Sequence, residues 1–535
     1  MTSQTNHIIF VVMSLLLVSP SVEGARQPSA ENKPNYGGTL VWGTQFKPNP
    51  INPVFTTYSI SADLMSLVFN GLVRLNAKGE FEPDLAERWE ISPDGLDYTF
   101  YLRKGVRFHD GVEVTARDVL FSYDQYRNPE NDSPYRSKFS PINQVEIFDP
   151  YTIRFHLKEA VSSFIEQFIH PILPRHLLEG KNIRDNPFFY APTGTGPFRF
   201  VHWDRTSDEI RLEFNPGYFE GRPYLDRIVV KAYPDPAAMW SGLLRHEVDL
   251  VQFISKEDYL VLGQDPAFKT FSVSAEVYSA IVYNLDDPVL ADIMVRKAIA
   301  HSIDAQGILK RSADIQGTLS VGPIHPQSAG FNPDLKPFEY DPDEASRLLE
   351  NNGWQDMNGD GILEKEGQDL EIRMLVNDRD PIHKKAALMI RQQLAAVGIR
   401  LIPQFYKNFS DIDKDYLDRL KIQAWLRYLP GYISNEIDAV SPWYSGFSMP
   451  GQFWFHKNAE LDRLIEEARS EPDTDISHHK VQKIHRLIYE DQTACFLFFH
   501  EGFFALSAKF GGVEDYFNIN MATFMIKDWY LTDRK

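Results

Sequence analysis

Residues Pro83–Asp124 read PDLAERWEISPDGLDYTFYLRKGVRFHDGVEVTARDVLFSYD. Within this stretch Tyr98–Leu102 (YTFYL) alternates large apolar and polar positions as a half-buried strand does. A basic turn, Arg103-Lys104-Gly105, ends it, and His109-Asp110-Gly111 opens a tight loop. Thr115 then stands where a helix N-cap is expected, and Thr115–Tyr126 (TARDVLFSYDQY) carries apolar residues at helical spacing. The reading is strand, loop, helix, with turn chemistry at each joint.

The same alternation continues on both sides. Gly38–Gly43 (GTLVWG), Tyr151–Leu157 (YTIRFHL) and Ile228–Tyr233 (IVVKAY) read as strands. Ser61–Phe69, Asp292–Ala300, Asp343–Asn351, Pro381–Val397, Leu461–Arg469 and Ser477–Glu490 read as helices. No fixed-period repeat and no low-complexity tract interrupts them. The chain is therefore α/β with mixed sheets. Punctuation at Thr193–Pro197, Asp286–Pro288 and Glu501-Gly502 marks crossings between lobes.

At 535 residues the chain exceeds what one hydrophobic core supports, and its 37 Phe, 24 Tyr and 9 Trp supply the apolar volume for at least two lobes. The first residues read as an export leader: the apolar run Ile8–Val18, Pro20, then small residues, with cleavage after Gly24 or Ala25. Eleven residues are too few to span a bilayer, and the segment before them, MTSQTNH, lacks the usual Lys or Arg. Cys495 is the single cysteine, inside the apolar run ACFLFF, so no intramolecular disulfide forms and no lipid-accepting thiol follows the leader. The net charge is −19, and losing Glu23 with the leader leaves −18, which disfavours nucleic acid and anionic membrane as partners.

Motifs that point to catalysis or phosphate binding fail on spacing. Gly194-Thr195-Gly196 is followed by Pro197 and Phe198 where a phosphate cradle needs Lys and a helix start, so it reads as a tight turn. His301, Ser302 and Asp304 lie too close together on one helix to assemble a nucleophile, base and orienter. His478, His479 and His485 lack the spacing of a helical zinc pair and read as a solvated helix face. Asp356, Asn358 and Asp360 stand at alternate positions of a Gly-containing loop, as in the first half of a calcium loop. Glu364 would add a ligand, but the twelfth position is Gly367 rather than a bidentate Glu, so calcium held there would be structural.

Pro83–Asp124 resembles the signature region of the extracellular solute-binding proteins of family 5, the oligopeptide, dipeptide and nickel type that serves ABC importers. Further matching blocks follow in the family's order: GTGPF at Gly194–Phe198, NPGYFEGRPYLDRIVV at Asn215–Val230 and VRKAIAHSID at Val295–Asp304. YDPDEASRLLENNGW at Tyr340–Trp354 and NAELDRLIEEA at Asn458–Ala468 complete the set. The resemblance implies a two-lobed periplasmic binding protein fold of the cluster C type with an extra insertion lobe. It implies a 1–24 signal peptide and a lobe I of residues 35–74, 193–283 and 501–535. An insertion lobe of 75–192 carries the signature, and a lobe III spans 284–500. It also implies a periplasmic monomer that binds a peptide or small-molecule ligand between lobes I and III, delivers it to permease subunits in the inner membrane, and carries no catalytic residues or cofactor.

Carried over residue by residue, the family's ligand contacts fall on Thr57, Tyr58 and Ser59, on Tyr135, and on Tyr406 and Trp425 as aromatic walls. Peptide-binding relatives show Trp-x-x-Asp, whose carboxylate pairs the peptide amine. Here the run is Trp425-Leu426-Arg427-Tyr428, with no acid before Glu436. Arg427 and Tyr428 then set the ligand class, favouring a carboxylate or other acceptor at that end. A metal chelate, an opine-like conjugate or an oligosaccharide stands as the alternative to a peptide, a receptor for a signalling partner as a second class, and an exported hydrolase as a third.

Overall fold

The computed structural model describes residues 34–56, 60–76, 79–162, 164–311, 317–407, 412, 414–433, 436–446, 457–513 and 523–532. The leader and Thr57, Tyr58 and Ser59 lie outside the described residues.

In chain order the strands of the two main sheets are β1 Thr39–Thr44, β2 Ala86–Ile91, β3 Asp97–Leu102, β4 Ile142–Asp149, β5 Thr152–Leu157, β6 Phe198–Asp204, β7 Glu209–Phe214 and β8 Arg227–Ala232. They continue with β9 Leu250–Gln252, β10 Phe268–Tyr283, β11 Gly317–Leu319, β12 Glu371–Asn377, β13 Arg400–Tyr406, β14 Ala424–Pro430 and β15 Ala494–Ser507. The helices used below are α1 Ile60–Val68, α2 Ala116–Arg127, α3 Pro236–Leu244, α4 Lys256–Leu262, α5 Ile293–Ser302, α6 Pro342–Asn351, α7 Pro381–Ala395, α8 Glu436–Val440, α9 Ala459–Arg469 and α10 Thr474–Asp491.

The signature stretch folds as its spacing predicts. The Asp118 carboxylate accepts from both the backbone N–H and the hydroxyl of Thr115, each at 2.9 Å, which fixes the start of α2. Strand β3 departs from simple alternation: Tyr98, Thr99 and Phe100 are all buried. The reason lies on the neighbouring strand, where Arg154 covers Thr99 and donates to its hydroxyl at 3.1 Å. Strands β2, β3, β5 and β4 form a four-stranded sheet in that order.

The large sheet runs β13-β12-β14-β10-β15-β9-β1-β8-β7-β6, with β11 paired to β15. Two of its strands are far longer than the usual five or six residues: β10 has 16 and β15 has 14. They join two halves. At one end β15 pairs with β9, Leu250 opposite Leu506; at the other β10 pairs with β14, Tyr283 opposite Ala424. Between them the register slips, so that Ala275, Glu276 and Val277 of β10 face only His500 of β15.

Each half is a sheet covered on both faces. Leu40, Trp42, Leu250 and Phe504 share one core with the four-stranded sheet, and the opposite face packs on α3 and α4 through Met239, Leu243 and Leu262. In the second half Ile281, Met374 and Leu426 face α5 to α7, while Tyr278, Leu375 and Trp425 face α8 to α10. Cys495 is buried, as its apolar surroundings predict. His485 corrects the solvated-face reading of α10: it is 0 % exposed and sits against Phe331.

The GTG turn and the HDG loop lock together. The Gly194 N–H donates to Nδ1 of His109 at 3.2 Å, and Nε2 of His109 lies 3.0 Å from the Gly196 carbonyl oxygen. Burial pushes the His109 imidazole down to about 4, so it serves as a neutral donor and acceptor. A Cβ on either glycine would collide with the backbone at the end of α1, which explains both glycines without any phosphate.

Candidate ligand cleft

Strand direction locates the cleft. β9 runs antiparallel to β15, so its carboxyl end points along β15 toward the second half. β14 runs antiparallel to β10, so its carboxyl end points back toward the first half. β1 and β8 lie parallel to β9 in the chain of pairings, and β12 and β13 parallel to β14. The carboxyl ends of two parallel sets therefore face one another across the register slip. Ligands of open α/β sheets bind outside such carboxyl ends.

The far side of this crevice is bridged. Lys138 Nζ lies 3.0 Å from Asp438 Oδ2 on α8, and Ser162 Oγ donates to Ser477 Oγ on α10 at 3.0 Å. The two halves thus touch both at the long strands and opposite them.

Tyr135 stands on the first wall. Its hydroxyl donates to the Thr56 carbonyl at 2.6 Å, and its ring meets His170 edge-on at 4.8 Å, so it anchors the chain entering Thr57. On the second wall Tyr406 is half-buried at the carboxyl end of β13, its ring 5.9 Å from Trp425. Trp425 does not line the crevice: it is 1 % exposed, within the core beneath α8 to α10. It acts instead as the base on which the Arg427 guanidinium stacks at 4.4 Å. Burial pushes Arg427 down to about 10.

Arg427 and Tyr428 do not form one subsite, because successive strand residues point to opposite faces. Tyr428 lies on the α7 side, its ring 4.1 Å from His383 and 5.0 Å from His500. Burial and the neighbouring Asp380 push its hydroxyl well above the ordinary phenol value. Glu436, the next acid in the sequence, is already committed. It is 5 % exposed, accepts from Ser328 and the Gly330 N–H, and lies 2.8 Å from His478 Nδ1.

The sequence gives no local sign of the polar chain beside Tyr428. Ser279 Oγ lies 2.9 Å from His383 Nε2 and 2.7 Å from His500 Nε2, and His383 Nδ1 lies 3.1 Å from Asp380. These are the spacings of a nucleophile, base and orienter. Ser279 is 0 % exposed in mid-sheet, however, where no substrate carbonyl reaches it. The other suspected trio is dispersed: Ser302 is buried and donates to Ala298 O, while Asp304 accepts from the Gly307 N–H.

The calcium-like loop is held by its own hydrogen bonds. Asp356 accepts from the Gly359 and Gly361 N–H groups, Asn358 from the Asp360 N–H, and Asp360 pairs with Arg400 at 3.5 Å. Among the described residues no group of three or more His, Cys, Asp or Glu gathers closely enough to hold a metal ion.

A two-lobed binder whose ligand lies between sheet ends is the class that this geometry defines. Residues 80–451 match the model of bacterial extracellular solute-binding proteins, family 5 Middle, and the chain belongs to that family. It is 28 % identical over 535 residues to the oligopeptide-binding protein AppA of Bacillus subtilis (strain 168), covering 98 % of this chain and 97 % of that protein. It is 26 % identical over 504 residues to the dipeptide-binding protein of Escherichia coli (strain K12), covering 87 % and 90 %. Among solved structures, AppA from Bacillus subtilis in complex with a nonapeptide superposes with a TM-score of 0.74 at 28 % identity, covering 93 % of this chain and 100 % of that one. NikZ from Campylobacter jejuni in complex with Ni(L-His) gives 0.76 at 25 % identity, covering 92 % and 99 %.

Proposed function

We propose that this protein is the periplasmic ligand-capturing component of an ABC importer, closing on an oligopeptide and delivering it to permease subunits of the inner membrane. The observation that carries the reading is the pair of opposed carboxyl sheet ends, in a chain that matches an oligopeptide-binding relative along its length. A ligand touching both walls favours the closed arrangement by its differential affinity for the two states. The protein acts as a binder and not an enzyme, as a monomer, and its mature chain starts at residue 25 or 26. We keep the lobe division read from the sequence as part of this proposal, with one boundary changed. On β10 we place the crossing at Ala275–Val277, where the register slips opposite His500, rather than at 283.

Thr57, Tyr58, Ser59, Tyr135, Tyr406, Arg427 and Tyr428 are the proposed ligand contacts. Trp425 supports Arg427 from behind. A desolvated guanidinium at the cleft end of β14 selects a carboxylate or another acceptor. That same cation, together with the commitment of Glu436, favours as second reading a non-peptide solute bearing acidic groups. Calorimetry with a mixed set of free-amine tripeptides on wild type and Arg427→Asp separates the two. Weak wild-type binding that improves more than about tenfold in the variant supports an acidic natural ligand. Tight wild-type binding that the substitution leaves unchanged places Arg427 outside the contact set. Native mass spectrometry of the purified protein then identifies the retained solute.

A further inference from the structure

We propose that Phe253 is a ligand-contacting residue, an aromatic shelf on the first wall of the cleft that takes a ring or branched aliphatic group of the ligand. The proposal deepens the peptide reading above and rests on it. Phe253 is the first residue beyond the carboxyl end of β9, the end that points at the second half. Its φ is +58°, a left-handed conformation that a bulky aromatic residue adopts only under constraint. Such strain persists where the surroundings over-determine it, and it collects at ligand-holding sites.

The surroundings do fix it. The N–H of the next residue, Ile254, donates to the Phe503 carbonyl at 3.1 Å, and the Ile254 side chain is buried in the core under α3 and α4. The chain therefore turns Ile254 inward and leaves Phe253 52 % exposed. Its ring rests 5.6 Å from that of Phe504, which is itself buried, and covers Gly502. A Cβ at Gly502 would stand 3.2 Å from Phe504 and 3.7 Å from the Phe253 ring, so the glycine leaves room for this stacking.

Phe253 is not a solitary surface aromatic. The adjacent strand β1 leaves Phe46 54 % exposed just past its own carboxyl end. On the opposite wall Phe405 and Tyr428 are exposed near the carboxyl ends of β13 and β14. Single exposed apolar residues need no explanation, but aromatic residues at the carboxyl ends of both parallel sets, one of them strained, describe a lined crevice.

The test uses the mature protein, tetra-alanine, and the four tetrapeptides with a single Phe at successive positions, titrated into wild type and Phe253→Gly. Glycine adopts positive φ freely, so the variant is expected to unfold at the same temperature or higher while lacking the ring. Wild type is expected to bind one Phe peptide about tenfold or more tighter than tetra-alanine, and the variant to narrow that preference to about twofold. Equal wild-type binding of all five peptides, or an undiminished preference in the variant, overturns the shelf and leaves the peptide reading standing. A lower unfolding temperature with the preference intact shows that the ring serves packing, and overturns it too. If wild type binds none of the five, the peptide reading falls, and native mass spectrometry decides the shelf. Loss of the co-purified solute from Phe253→Gly alone supports it, and equal retention overturns it.

Discussion

Two half-buried arginines show how differently this fold treats charge. Arg74, beside the start of the signature, donates to Glu82 and Glu220 at 2.7 Å each and approaches Asp84 at 3.8 Å. Against the cost of burial these carboxylates hold it above the ordinary guanidinium value. Arg427, at the cleft, lies on an indole with the phenols of Tyr406 and Tyr278 nearby, and burial drives it down to about 10. The first arrangement is finished in the folded protein and holds the insertion against the first half. The second desolvates a cation at a position we propose as a ligand contact, a burial that costs stability and would serve recognition.

The largest expected effect acts on both regions through histidine. Burial holds His109, His170, His325, His383 and His500 down to about 4, and His485 to about 3, from an ordinary 6.5. Because the unfolded chain binds these protons more readily, their contribution is full above about pH 6.5 and is lost as the pH falls toward 4. Urea titrations at steps between pH 7.5 and 4.5 are expected to show a steep monotonic fall in stability. A flat profile would mean that water reaches these imidazoles. Hydrogen exchange at the Gly194 and Ser279 amides tells which region opens first.

Next in size, Asp84→Ala should cost about 3–5 kcal/mol by leaving Arg74 and the Asn70 amide short of a buried partner. Arg427→Leu should lie within about 1 kcal/mol of wild-type stability, or exceed it, while losing affinity for the solute retained by the wild-type protein. Equal destabilisation by the two substitutions breaks the comparison and makes Arg427 a structural residue. The smallest effect belongs to the Lys138–Asp438 bridge, whose side chains are 38 % and 37 % exposed. Lys138→Met should weaken ligand affinity by no more than about fivefold, and less at high salt, because a half-exposed pair is worth at most about 1 kcal/mol.

Most elements were legible because their signals are local. Thr115 and Asp118 cap α2 within one turn, and the alternation in YTIRFHL yields β5 within a residue of its reading. His485 was misread because helical spacing alone does not say that Asn332 and Phe331 pack over α10. Trp425 was misread for a related reason: the motif shows an aromatic near the cleft, but strand alternation inside a two-faced sheet decides which neighbour faces the ligand.

By itself the sequence determined the α/β class, the family, and the order of strands, helices and caps, since all depend on neighbours within a few residues. It also sets Trp425-Leu426-Arg427-Tyr428 where the resemblance implies the Trp-x-x-Asp of peptide binders. Tertiary structure alone decided that β10 and β15 run through both halves, that Arg427 and Tyr428 part to opposite faces, and that Ser279, His383 and His500 meet. Those three lie on segments more than a hundred residues apart. The pairing of β10 with β15 brings Ser279 to His500, the packing of α7 on the sheet adds His383, and no local pattern encodes a register set by pairing across the whole chain.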